Sequence, residues 1–289
     1  MKRITSLLHL SSETRIVLSM LKKNKLGILG IIIIILFFFV SIFGPYLTPY
    51  NPIEIHLDKR FLPPNREFLL GTDEFGRDIL SRLIYGARIA FIVSITTVII
   101  AMCIGIFIGA ITGYYSGKVD LIIMRFVDIV TSFPSIILAL GIMAVLGRGI
   151  DKLILVLPLM YWTGYTRIVR SLVLSIRKMD YIEASKIFGA SNLNIIFRHV
   201  LVNVFPPCIV IATFQLGTAI LTETSFSFLG LGINPPTPSW GNMLTNSRAY
   251  ILKAPYLAVF PGLAITIVIL GFNLLGDALR DALDPRLRL

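Results

Sequence analysis

Apolar runs too long for strands or ordinary core helices recur along this chain, and they limit its possible folds more than any other feature. A window of about 19 residues picks out six of them, near 26–45, 88–113, 124–146, 153–173, 205–230 and 255–276. Crossing the roughly 30 Å hydrocarbon layer of a bilayer takes about 20 helical residues, and lipid offers the backbone no hydrogen-bond partners. Helix is the form these runs must take. The expected fold is an all-α polytopic membrane protein with six transmembrane helices, and the composition, 55% hydrophobic against 15% charged, agrees.

A net charge of +11 would suggest nucleic acid for a soluble domain. Here the basic residues flank apolar runs, which is how orientation in a bilayer is set, and nucleic acid is not an expected partner. Lys2, Arg3, Arg15, Lys22, Lys23 and Lys25 against Glu13 place the N-terminus in the cytoplasm, and six spans return the C-terminus there. The segment 166–204 is basic and the segment 46–76 is acidic, as inner and outer loops should be. The first run, "LGILGIIIIILFFFVSIFG", is too long for a signal peptide and lacks a small-x-small cleavage site, so it reads as an uncleaved anchor. The chain divides into residues 1–87, with the N-terminal cytoplasmic segment, first helix and external loop; 88–276, a five-helix transmembrane domain; and 277–289, a cytoplasmic amphipathic tail. Around that tail Leu275, Ala278, Leu279, Ala282 and Leu283 oppose Asp277, Arg280, Asp281 and Asp284.

Ala101, Gly105, Gly109 and Gly113 lie four apart on one face of the second span, a seam that lets another helix approach closely, most simply within the same subunit. Pro134, Pro158 and Pro261 should loosen or kink their helices. Arg125 and Asp128, three apart, are expected to form a local ion pair. Trp240, in the proline-rich loop 232–253, reads as an interface anchor.

Between the fourth and fifth spans stands "YIEASKIFGASNLNIIFRHV", a polar and punctuated stretch. Asp180 and Glu183 have the spacing of a capping box. Tyr181, Ala184, Ile187 and Phe188 share one helical face, Gly189 ends the helix in a left-handed conformation, and Ser191 caps a second helix leading into the fifth span. From the residues alone such a helix suits the lipid headgroup layer as well as a protein partner.

Enzymatic chemistry has little support. No Cys/His cluster, GxSxG elbow or phosphate loop occurs, and Gly117-Lys118 fails as one because Thr112 takes the place of its first glycine. His56 and His199 lack a second ligand at useful spacing, and Cys103 and Cys208 sit in apolar segments, so neither metal nor cofactor is implied. The fifth span carries Gln215, Thr218, Thr222 and Ser225 as a polar stripe, which serves either interhelical hydrogen bonds or a hydrated path. Beside it, a charged Glu223 would cost about 2.5–3.5 kcal/mol on a lone helix at mid-bilayer, so it must be paired, protonated or in water.

The order Glu183-Ala184-Ser185, Gly189, His199, Leu201 resembles the "EAA" loop of permease subunits in binding-protein-dependent ABC importers, with Val202 where that family usually has proline. The stretches "GTDEFGRDILSRLIYGAR", "FLGLGINPPTPSWGNML" and "GFNLLGDALRDALDPRLR" are similar to the C-type permeases of its peptide and nickel branch. The resemblance implies the type I importer permease fold and a path for di- or oligopeptides, or alternatively nickel, between this chain and a homologous second permease. It also implies two cytoplasmic ATP-binding subunits, an extracytoplasmic solute-binding protein and residence in the bacterial inner membrane. Asp180, Glu183, Ala184, Ser185, Gly189, Arg198 and His199 would then couple to the ATPase, and Gln215, Thr218, Thr222, Glu223 and Ser225 would line the path. An ATP-independent secondary transporter is the rival, but internal repeats and discontinuous helices around ion-coupling groups are not evident in the sequence.

Overall fold

The computed structural model describes residues 20, 21 and 24–283, and all of its long elements are helices. The basic residues from Lys2 to Lys23 and the terminal Asp284 lie outside the described residues. Helix α1 (Lys25–Leu47) starts where the Asn24 side chain accepts from Gly27 N at 3.0 Å. Helix α2 (Ile79–Tyr115) starts where Asp78 accepts from Ser81 N at 2.8 Å. Its 37 residues extend about 55 Å at 1.5 Å per residue, well beyond a hydrocarbon core. Helices α3 (Gly117–Ser132), α4 (Ser135–Leu146) and α5 (Ile150–Ile176) follow. Next come the short α6 (Asp180–Ile187) and α7 (Asn192–Ile195), then a π-helical turn, Ile196–Val200, opening directly into α8 (Leu201–Phe228). Helix α9 (Trp240–Ser247) and α10 (Tyr256–Leu283) complete the order.

Four helical stretches are long and apolar enough to cross a bilayer, Lys25–Leu47, Ile79–Tyr115, Asn192–Phe228 and Tyr256–Leu283. The count reaches five if α3 and α4 form one broken span. Helix α5 has the length, but Trp162, Tyr165, Arg167 and Arg170 make it less apolar than these. The 124–146 run is not one straight rod either: α3 and α4 meet at 79° around Phe133 and Pro134. Proline cannot donate to the preceding turn and forces its predecessor toward extended backbone, and Phe133 adopts φ −88°, ψ 135°. By contrast, Pro158 and Pro261 are carried inside continuous helices.

Helix α2 is the centre of the bundle. Its small-residue seam faces α5 of the same chain: a Cβ on Gly109 would lie 2.7 Å from both Thr166 O and Val169 Cβ, and one on Gly113 would lie 2.7 Å from Val173 Cβ. A second close crossing, between α1 and α10, was not expected. There a Cβ on Gly30 would lie 2.8 Å from Leu275 N, and one on Gly27 would lie 2.6 Å from Ala278 Cβ. Both ends of the described chain therefore meet at one end of the bundle. Ala278 and Ala282 are buried while Asp277, Arg280 and Asp281 are exposed, and α10 continues through this region without a break.

Trp240 corrects its expectation. It is 2% exposed, its indole donates to Leu83 O at 2.9 Å, and Gly86 provides the space for its ring. It locks α9 onto α2 as core rather than anchoring at an interface.

Replacing Gly109 with valine should destabilise the bundle by about 1–3 kcal/mol through overpacking. Valine at Gly164, which has open space around it, should not. Size-exclusion profiles after stepwise heating in detergent will separate the two.

Candidate functional site

The stretch between α5 and α8 folds into an elbow. Its entry geometry differs from a capping box: Met179 is the N-cap residue and makes no side-chain cap bond, so Asp180 and Glu183 lie inside the first turn. There they act by charge, two carboxylates beside the positive end of the helix dipole. The exit follows the sequence. Gly189 has φ +80°, its N–H donates to Lys186 O at 3.0 Å, and Ala190 N donates to Ser185 O at 3.0 Å. This pair of bonds is a Schellman closure. Ser191 Oγ then accepts from Asn194 N at 3.3 Å, starting α7.

The expected apolar face of α6 is turned outward. Ile187 is 83% exposed and Phe188 88%, with Leu193 and Phe197 exposed nearby. Ile182 holds the elbow instead, wholly buried with Ile195, Ile196, Val200, Val173 and Ile176. Polar ties add direction: Tyr114 OH donates to Asn192 Oδ1 at 2.8 Å, and Lys186 Nζ lies 5.5 Å from the centre of the Tyr114 ring. Arg177 closes the end of α2 by donating to Tyr114 O at 3.2 Å and to the Ser116 hydroxyl. The sequence pattern did not mark Ile182 or Tyr114, and Arg177 entered only through the basic charge of segment 166–204. Of the expected coupling residues, Asp180, Glu183, Gly189 and Arg198 are exposed, while Ala184, Ser185 and His199 are half-buried. Ser185 donates to Tyr181 O at 2.7 Å, and the His199 carbonyl accepts from Asn203 at 2.6 Å.

On α8 the stripe residues Thr218 and Ser225 are exposed, and Gln215 and Thr222 are half-buried. Thr218, Thr222 and Ser225 each donate to the carbonyl four residues back, and Thr222 also shares a 2.7 Å hydrogen bond with Tyr161 OH of α5. Glu223 points inward, 1% exposed. Its Oε1 accepts from Ser227 Oγ at 2.8 Å, and its Oε2 has no partner among the described residues. Glu223 is thus set apart from the stripe by the helix's own rotation.

The expected Arg125–Asp128 pair does not form among the described residues. Asp128 instead accepts from Arg167 at 3.0 Å, and Asp120 accepts from Arg170 through two nitrogens, at 2.5 and 2.6 Å. Two arginines on the facing side of α5 meet the α3 carboxylates, and a bidentate fork is the stronger geometry.

At the far end of the bundle the sequence reading saw only loop charges, whereas the structure builds a buried ionic network. Arg77 lies 2.6 Å from Asp73 Oδ2 and 3.2 Å from Glu74 Oε1, and Arg82 lies 3.4 Å from Asp73 Oδ2 and donates to Pro52 O at 2.9 Å. All four residues are less than 9% exposed as side chains. Burial, with Asp73 alongside, pushes the Glu74 carboxyl above the usual range.

Comparison with known proteins gives two family matches. The family described as binding-protein-dependent transport system inner membrane component matches residues 105–289, and that described as the N-terminal TM domain of oligopeptide transport permease C matches residues 12–64. The dipeptide transport system permease protein DppC of Alkalihalophilus pseudofirmus is 45% identical over 268 residues, covering 93% of this chain and 88% of the relative. The di/tripeptide transport system permease protein DppC of Pseudomonas aeruginosa is 40% identical, covering 92% and 89%. The probable D,D-dipeptide transport system permease protein DdpC of Escherichia coli is 39% identical, covering 92% and 90%.

Tyr114→Phe removes one hydrogen bond, worth about 1 kcal/mol, and should speed amide exchange across 181–195 about fivefold while leaving the α2 centre protected. Exchange mass spectrometry of the purified protein checks this.

Proposed function

The chain belongs to the binding-protein-dependent transport system inner membrane components, and on that premise we propose that it forms half of an ATP-driven importer's path for di- or oligopeptides. It is a membrane subunit without ATPase chemistry of its own, residing in the bacterial inner membrane; hydrolysis belongs to a separate subunit. The observation that carries the substrate class is the likeness to peptide permeases across nine-tenths of the chain. The names of these relatives favour peptide over nickel.

The finer reading has six passes. In it helices α1, α2, the bent α3–α4 pair, α5, α8 and α10 alternate in direction, with the elbow and both chain ends on the cytoplasmic face. Residues 1–87 serve as anchor and external loop, 88–276 as the permease core and 277–289 as a cytoplasmic tail. The partners are a homologous second permease, two ATP-binding subunits and an external solute-binding protein.

Asp180, Glu183, Ala184, Ser185, Gly189, Arg198 and His199 form the coupling surface. The exposed Ile187 and Phe188 support it, since an apolar knob rimmed by charge marks a surface that meets a partner. Nucleotide-driven approach of the ATPase subunits moves the knob, and Tyr114–Asn192 with the Ile182 cluster passes the movement to α2, α5 and α8 as rigid-body gating. Gln215, Thr218, Thr222 and Ser225 line the path, with Glu223 bracing it from behind.

Glu183→Lys reverses a surface charge, and Gly189→Asp strains a left-handed position in otherwise open space. Each should lower ATP-driven peptide uptake in reconstituted vesicles by about tenfold or more, a loss of at least 1.4 kcal/mol, while membrane insertion stays intact. Normal uptake in both removes the coupling assignment.

A further inference from the structure

A cavity of about 310 Å³ opens at the end of the bundle remote from the elbow. Four separate segments wall it: Arg77 just before α2 with Arg82 in its first turn, Arg148 from the α4–α5 connection, Thr237 from the turn after α8, and Asn242 and Asn246 from α9. Three guanidiniums and two carboxamides line it, and the carboxamide nitrogens already donate to Ile233 O and Glu74 Oε1.

The charges do not cancel. Asp73 and Glu74 compensate Arg77 and Arg82, as described above. Arg148 has no carboxylate within ion-pair distance among the described residues, and one positive charge is left over at the cavity wall. Donors are left over as well: Arg77 Nη1 and Arg82 Nη2 make no hydrogen bond among the described residues, although each side chain is 8% exposed or less. Arg148 is exposed at the cavity mouth, and its backbone is tied to the turn after α8. Its carbonyl accepts from Asn234 at 3.3 Å, Gly149 N donates to Gly232 O at 3.0 Å, and its Nη2 lies 3.8 Å from where a Cβ on Gly230 would sit.

We infer that this cavity is a receiving subsite for the C-terminal carboxylate of the peptide, held by Arg148 over the Arg77 and Arg82 guanidiniums. One surplus charge matches one carboxylate, and guanidinium forks are the best geometric partners that group has. The volume lies at the small end of ligand pockets, room for a terminal residue and not a long chain. This subsite rests on the reading of the chain as a peptide permease.

The test uses the complete transporter in nanodiscs without nucleotide, with alanyl-phenylalanine and its C-terminal amide as probes, read by saturation-transfer NMR. The free acid should give signal, and the amide, or the acid with Arg148→Gln, about tenfold less, with partial recovery in Arg148→Lys. Equal signals from acid and amide, no signal from either, or no effect of Arg148→Gln overturns the subsite. Docking of the solute-binding protein, followed by surface plasmon resonance, should be unchanged by Arg148→Gln. A tenfold loss of docking with an unaltered dipeptide signal would assign the cavity to an acidic side chain of that protein instead. ATP-driven uptake of a di- and tripeptide panel by the wild type stands apart: its absence defeats the permease reading, and its presence without probe binding defeats only the subsite.

Discussion

The backbone approach of α2 to α5 is the constraint on which the rest depends. Gly105, Gly109 and Gly113 bring α2 against Trp162, Thr166, Val169 and Val173 with no side chain of their own between, so the two helices pack at close backbone distance. In lipid, where the hydrophobic effect supplies no force between helices, such close packing is a main source of association. Helix α2 is long enough to extend past both faces of a bilayer. Its start carries the Arg77 and Arg82 network and Trp240, and its end carries Tyr114 and the elbow. The elbow and the far end are thus carried on one continuous helix.

Elements set by local chemistry were legible in the sequence. Apolar run length gave the helices, Gly189 and Ser191 gave the elbow's turn and second start, and four-residue spacing of small side chains gave the seam. What was hidden depended on residues far apart in the chain. Asp128 finds Arg167, not Arg125, because two helices meet face to face, and nothing in the chain between these two residues, 39 apart, announces it. Trp240 looked like an interface anchor since its neighbours are prolines and polar residues; the indole's partner is Leu83 O, 157 residues away. The capping box failed for a smaller reason. Met179 takes the extended N-cap conformation, which moves Asp180 and Glu183 one place inward.

The elbow's inverted face shows how a periodic pattern can mislead in orientation. Tyr181, Ala184, Ile187 and Phe188 share a side, as apolar core residues would, yet the single Ile182 on another side is the residue that packs. An eight-residue helix has too little surface to bury two faces, and here the well-packed one is set by α5 and α8 at either end. Isolated, the chain leaves Ile187 and Phe188 in the open. Burying two such side chains in a partner would contribute about 1.5–3 kcal/mol each, without any charge pair.

Glu223 is where local chemistry and surroundings conflict most. A carboxylate 1% exposed, with one hydroxyl donor for Oε1 and none for Oε2, is far from the two or three donors a buried anion needs. Its one donor, Ser227, also accepts from Ile233 N at 3.3 Å and so fixes the turn after α8. That turn supplies Gly230 and Gly232, against which the Arg148 segment is tied. Glu223 is therefore joined to the far-end cavity through Ser227 and the turn, while its helix presents Thr222 and Ser225 on other sides. Conflicts of this kind persist in folded proteins at functional places, because a side chain chosen for packing alone would remove them. At this position an apolar residue would satisfy α8 and leave Ser227 without the acceptor that orients it.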